Sequence, residues 1–255
     1  MNRNSNRYFE DPVAAYTLLA PHYADLSSRR ERYLRAIEDA VVARVPAGSN
    51  SLLDIGAGDG SRALSIARES GIQNIVLLEP SLEMAAPAAG IVKVWNVRAE
   101  ELADESNKFE VITCLWNVLG HIRGVQSRVR AMRAMGCLLT PEGKCFVDVN
   151  HRYNLQSYGV FPTAARFLRD SISYKSENAD VTATWKIDGQ SISTYGHVFS
   201  DREVRNLAHA AGLEIEERIV VDYDTGKIRS FAFTGNLLYV LRRPPIVSAS
   251  VPHTS

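Results

Sequence analysis

The segment Asp54-Ile-Gly56-Ala-Gly58-Asp59-Gly60 joins a short apolar run, 51–55, to a stretch of helical spacing that begins at Arg62. Glycines in such a turn let the backbone bend tightly and leave no Cβ in the way of a ligand. The helix start behind them offers unpaired N–H groups and about half a positive elementary charge to an anionic group. The spacing is GxGxG, and Ser61 stands where the dinucleotide fingerprint GxGxxG wants its third glycine. Asp54, inside the strand end, is expected to bond backbone donors of the loop. Glu79 closes the next apolar run, 23 residues beyond Gly56, where a carboxylate can accept both hydroxyls of a ribose.

Positioning these residues requires alternating strands and helices. Runs at 51–55, 74–78, 91–94, 109–115 and 143–150 read as strands, with helices at 62–70, 81–86 and 125–138 between them. Such alternation predicts a parallel sheet with right-handed crossovers. Ahead of it, 12–45 carries apolar residues at helical spacing, Tyr33, Ile37, Ala40, Val41 and Val45 tracing one stripe. The first ten residues read as polar and loose. Past 154 the pattern changes: 171–175, 181–187 and 191–199 read as strands, with Asp188-Gly189 as a hairpin turn. Ser200 and Glu203 form a capping-box pattern for a helix that closes at Gly212, and 213–221 and 231–241 read as a final strand pair. The expected organisation is an N-terminal helical cap (1–48), an α/β core (49–154 and 199–243), an inserted antiparallel lid (155–198) and a disordered tail (244–255).

Composition narrows the function classes. At 255 residues and 28.2 kDa, surface scaling gives roughly 11,000 Å² folded against roughly 41,000 Å² unfolded, enough burial for one large core. The 29 basic and 29 acidic side chains balance, whereas nucleic-acid binders draw affinity from a basic surface. Cys114, Cys137 and Cys145 have no CxxC spacing, so neither a zinc site nor a disulfide framework is expected, nor any other metal cluster. No apolar run reaches the length of a membrane span and the start lacks a signal-like apolar region. A cytoplasmic protein away from membranes is expected, as a monomer or homodimer.

Taken together, SLLDIGAGDG, VLLEPS, the Arg98-Ala99-Glu100 turn, FEVITCLWNVLGHI and LLTPEGKCFVDVN resemble the ordered motifs of class I S-adenosylmethionine-dependent methyltransferases. They cover about 50–150, and FSxxEVxxLxxxAGLEIEE is similar to the late part of that fold. The resemblance implies a Rossmann-like, seven-stranded, mostly parallel sheet with an antiparallel last strand, an N-terminal helical lid and a small inserted antiparallel sheet. It also implies S-adenosylmethionine as cofactor and S-adenosylhomocysteine as product. Asp54, Gly56, Ala57 and Gly58 would then surround the methionine part, and Glu79 with Pro80 the ribose. Met84 would cover the adenine face, although a Met at that spacing suits a core equally. Ala99 and Glu100 would meet the adenine edge, and Leu115 and Trp116 the cofactor at the fourth strand's end.

A narrower resemblance is to the glycine/sarcosine N-methyltransferase-like, small-molecule branch. It rests on DVNHRYN (148–154), LWNVLGHI and SRRERY (28–33), and it nominates Arg29 for the cofactor carboxylate. Methyl transfer needs the nucleophile aligned within about 3–3.5 Å, water excluded, and a base where the acceptor's pKa is high. Candidates follow the strands at their carboxyl ends: Asn117 and His121 after the fourth, Asn150, His151 and Tyr153 after the fifth. His121, His151, Asn117 and Tyr153 are the catalytic candidates; Tyr16, Tyr23, Asn150 and His197 are expected around the acceptor, the two tyrosines as a lid.

No (N/D)PP(Y/F) turn follows strand four and no cysteine stands as a nucleophile, which favours a small organic acceptor methylated on N or O. Two other readings are a non-catalytic S-adenosylmethionine-binding module of the same fold and an NAD(P)-dependent oxidoreductase. Ser61 and the long helical preface count against the second.

Overall fold

A computed structural model describes residues 6–102 and 108–245. Residues 1–5 of the expected loose start and 246–255 of the expected tail lie outside the described residues. The chain opens with β1 (Asn6–Phe9), α1 (Pro12–Leu19), α2 (Tyr23–Ser28) and α3 (Glu31–Val42). The alternating core follows as β2 (Ser51–Ile55), α4 (Ser61–Ser70), β3 (Asn74–Leu78), α5 (Leu82–Ala85) and β4 (Lys93–Trp95). It continues with β5 (Phe109–Cys114), α6 (Val118–His121), α7 (Val125–Leu138) and β6 (Leu139–Val149). Next come α8 (Leu155–Tyr158), α9 (Val160–Ile172), β7 (Asp180–Ile187) and β8 (Gln190–His197). The last elements are α10 (Asp201–Ala210), β9 (Glu214–Val221), β10 (Ile228–Arg229) and β11 (Asn236–Arg242).

Eight strands form the main sheet in the order β10-β9-β11-β6-β5-β2-β3-β4. β3–β4, β2–β3, β2–β5 and β5–β6 pair in parallel, and β11 runs antiparallel between β6 and β9. The seven expected strands are therefore present, and the two-residue β10 adds an edge. Strand alternation divides the core. Leu53 and Ile55 face α7 and α10, packing with Met132, Met135 and Leu207. Leu52 faces α3 and α4, packing with Tyr33, Ile37 and Ile66. Cys114 and Cys145 are fully buried apolar filler on the first side. Among the described residues no helix is long and apolar enough to cross a membrane.

Three expectations differ from the structure. The stretch 12–45 is three helices, broken by a 3₁₀ turn at Ala20–His22 that contains Pro21, which has no N–H to give. Residues 6–9, expected to be loose, form β1, which pairs in parallel with β8 from Asn6↔Ser191 to Phe9↔Thr194. The expected strand 171–175 is instead the end of α9 and the coil after it. Gly159, at φ 80°, turns the chain from α8 into that helix. The β7–β8 hairpin forms as expected, with Asp188 and Gly189 both at positive φ. It makes a second, three-stranded sheet in the order β1-β8-β7.

Candidate active site

Parallel strands deliver their carboxyl ends to one side of the sheet, and there α1 and α2 lie over a cleft. Its floor is the glycine turn, where Gly56, Gly58 and Gly60 take φ of 66°, 60° and 77°. The turn is fixed by Gly56 N–H and Ala57 N–H, which both donate to the Leu78 carbonyl. A Cβ on Gly58 would lie 3.1 Å from the Tyr23 ring, so the tyrosine of the covering helix rests directly on the loop.

Glu79 projects from the end of β3 into the cleft. Its Oε2 accepts from Gly58 N–H at 2.9 Å and its Oε1 from Ser81 N–H at 3.0 Å. Each oxygen keeps a second lone pair for a ligand hydroxyl. Burial pushes its carboxyl up to about 7, against the backbone donors that favour the charge. Pro80, Met84, Ala99, Glu100, Leu115 and Trp116 line the same cleft. Met84 sits there because Ser81 caps α5, accepting from Met84 N–H. Asp54 is displaced from its expected role. It is buried beneath the loop, accepts from the Thr113 hydroxyl at 2.7 Å and contributes no surface to the cleft. Ala57 is likewise buried, outside the lining.

Arg29 stands outside the cleft: its side chain is 60% exposed and paired with Asp25 one turn earlier. Two arginines line the cleft, Arg98, which is paired with Asp11, and Arg62, which is absent from the residues expected from sequence. Arg62 is 8% exposed, stacks 5.5 Å from the Trp116 ring centre, and its Nη1 is buried without a hydrogen-bond partner. Its position just after the glycine turn was the signal, since the first turn of that helix faces whatever the loop binds.

Tyr16 and His121 meet at the other end. The Tyr16 hydroxyl lies 2.9 Å from His121 Nε2, and His121 Nδ1 lies 3.0 Å from the Tyr195 carbonyl oxygen. A carbonyl only accepts, so Nδ1 carries the proton and Nε2 accepts from the phenol. Burial lowers the His121 pKa and raises that of Tyr16, which keeps the imidazole neutral and the phenol protonated. Tyr23 also lines the cleft, and burial raises its phenol to about 12.

The remaining candidates are drawn away. Asn117, at φ 60° beside Trp116 at φ 58°, donates from Nδ2 to the His197 carbonyl and accepts at Oδ1 from Asn150 N–H. It clamps the ends of β5, β6 and β8 rather than facing a ligand. The packing is tight: a Cβ on Gly120 would meet Asn117 Nδ2 and the His197 carbonyl well inside contact distance. Asn150 accepts from Asn236 Nδ2. His151 is 2% exposed against Tyr153 and Phe233, and burial lowers its pKa to about 4. Tyr153 donates to Asp170 of α9. His197, fully buried, has Asp180 2.7 Å from Nδ1 and Glu203 3.0 Å from Nε2. None of these five lines the cleft.

Comparison with known proteins agrees with this architecture. Residues 26–218 match the family model described as a methyltransferase domain. The chain is 25% identical over 202 residues to the protein MJ1252 of Methanocaldococcus jannaschii, covering 78% of this chain and 75% of that one. A solved S-adenosylmethionine-dependent methyltransferase from Clostridium acetobutylicum superimposes with a TM-score of 0.63 at 14% identity, over 89% of this chain and 98% of the other. The sugar N-methyltransferase KedS8 from Streptoalloteichus gives 0.58 at 17% identity, over 87% and 93%. The oxidoreductase alternative is thereby set aside. With a family model spanning most of its length and a glycine-turn cleft at the carboxyl ends of its parallel strands, the chain belongs to the methyltransferase-domain family and is an S-adenosylmethionine-dependent methyltransferase.

Proposed function

We propose that the enzyme methylates a nitrogen or oxygen of a small molecule held between Tyr16 and the end of β5, with His121 as the base. The observation that carries this reading is the Tyr16–His121 pair: a neutral imidazole with an accepting Nε2, hydrogen-bonded to a phenol in the wall of the cleft. The similarity to a sugar N-methyltransferase supports an amine acceptor. The charge balance of 29 against 29 supports a small acceptor over a nucleic acid.

The cleft fits the donor. The orphaned Nη1 of Arg62 and the free lone pairs of Glu79 suit a ligand with a carboxylate at one end and a ribose diol further along. Met84 and Ala99 supply apolar contact for the adenine. When bound, S-adenosylmethionine supplies an electrophilic sulfonium methyl. The protein's part is to position and deprotonate. Tyr16 orients the acceptor through its hydroxyl, and Nε2 of His121 receives the acceptor's proton, directly or through that hydroxyl. Tyr23 and Trp116, 5.8 Å apart between ring centres, help keep water from the reacting end.

The test is titration calorimetry with S-adenosylhomocysteine, then turnover over a panel of small amines, amino sugars and phenols. Methylation of a small acceptor, lost in His121→Ala without loss of S-adenosylhomocysteine affinity, is the expected result. Turnover on protein or RNA alone overturns the small-acceptor reading. Full turnover in His121→Ala overturns the base.

A further inference from the structure

The helix α9 is amphipathic the wrong way round. Thr163 and Asp170 are buried on its inner side, Asp170 bonded to Arg152 and Tyr153, and Arg166 lies over the Tyr158 ring. Its outer side carries Val160, Phe161, Leu168 and Ile172, exposed by 64, 88, 64 and 80%. Surface helices normally turn such a stripe to the core. Here the polar side lies against the chain, and among the described residues the apolar side has no partner.

We infer that this outer face is an interface with a second copy of the same chain. The positions 161, 165, 168 and 172 follow a 4-3-4 spacing, the seam along which two helices interlock, and such a seam is complementary to itself about a two-fold axis. Small Ala164 and Ala165 at its middle allow close approach. The size also fits. Phe167 touches Phe233, which touches Phe231, so the face continues off the helix. Phe161, Phe167 and Phe231, at 88, 50 and 58% exposure, present on the order of 300–500 Å² at roughly 150–250 Å² per ring. With the aliphatic residues the face approaches the ~800 Å² each partner gives to a stable interface. A membrane surface fits less well, because lipid-bound helices turn a Lys/Arg-rich side outward, and the polar side of α9 faces inward.

The experiment is sedimentation velocity over a wide concentration range, on wild type, Phe161→Glu/Leu168→Glu and Ile91→Glu. Ile91 is an exposed apolar residue outside α9 and serves as a control. Wild type and Ile91→Glu are expected at twice 28.2 kDa and the double variant at 28.2 kDa, with S-adenosylhomocysteine affinity equal in all three as the check on folding. A wild type that stays at 28.2 kDa overturns the inference. So does a double variant that still dimerises, or monomeric wild type that binds phosphatidylserine vesicles through this face. Should the double variant misfold, Leu168→Gln, which adds no charge, must still weaken the dimer at least about tenfold.

Discussion

The Tyr16 hydroxyl and His121 Nε2, 105 residues apart in the chain, share a hydrogen bond of 2.9 Å. Tyr16 belongs to α1 and His121 to the turn after a core strand, so the bond ties the amino-terminal helices to the core. Two further contacts hold α1 there. Asp11 at its start meets Arg98 at 2.7 Å, and Thr17 meets Ser81, the cap of α5, at 2.8 Å.

His121→Ala is expected to lower kcat by about 10²–10⁴-fold, the usual worth of a positioned base, with S-adenosylhomocysteine affinity unchanged. Tyr16→Phe is expected to cost less and to act on acceptor KM as well. Because burial lowers the His121 pKa, the acid limb of kcat/KM should lie below the ordinary histidine value of 6.5. Steady-state kinetics across pH checks both.

Arg62→Met is expected to weaken S-adenosylhomocysteine by about 10–150-fold, since a hydrogen bond to a charged group contributes roughly 1.5–3 kcal/mol. Arg29→Ala is expected to change it less than twofold. Calorimetry on the two variants decides which arginine meets the ligand.

Ligand-free stability is expected to fall as pH rises from about 4 to about 7. Burial holds Asp54 and Asp148 at about 6 and Glu79 at about 7, above ordinary values of 3.8 and 4.5. The folded state therefore keeps protons that the unfolded chain has lost, and forfeits this advantage as pH passes those values. His151, lowered to about 4 from 6.5, works in the opposite direction between those two values and offsets about one of the three carboxyls, so the net trend stays downward. Each carboxyl contributes on the order of 1–3 kcal/mol. Asp54→Asn keeps the acceptor for Thr113 and should flatten the decline in Tm followed by circular dichroism.

His151→Phe is expected to leave turnover within about twofold of wild type. The ring is packed against Tyr153 and Phe233 with Nδ1 buried and unbonded, so an apolar ring removes an unsatisfied polar atom. A hundredfold loss in kcat would return His151 to the chemistry.

What sequence revealed and what it hid follow one physical division. The glycine turn, Glu79, Met84 and the Leu115–Trp116 step were legible because strand ends and a positive-φ turn are local properties, and the parallel sheet carries them to one place. His121, His151, Asn150 and Tyr153 all follow strands at the same edge, and sequence gave no means to separate them. The separation is made by packing. Residue 151 bridges to Phe199 and turns toward Phe233, while residue 121 ends a short helix aimed at the cleft. Arg29 and Arg62 divide in the same way. α2 presents Arg29 outward at a helix end, whereas the glycine turn swings Arg62 inward. The strand expected at 171–175 rests on Ile172 and Tyr174, which favour a strand, and the helix that overrides this preference is capped at Gly159, twelve residues earlier.

β1 lends its hydrogen bonds to β8, so the amino-terminal arm and the inserted hairpin are one cooperative unit. Separating the two then costs the opening free energy of a sheet rather than the fraying of a helix. Amide exchange in β1 and β8 should rise and fall together.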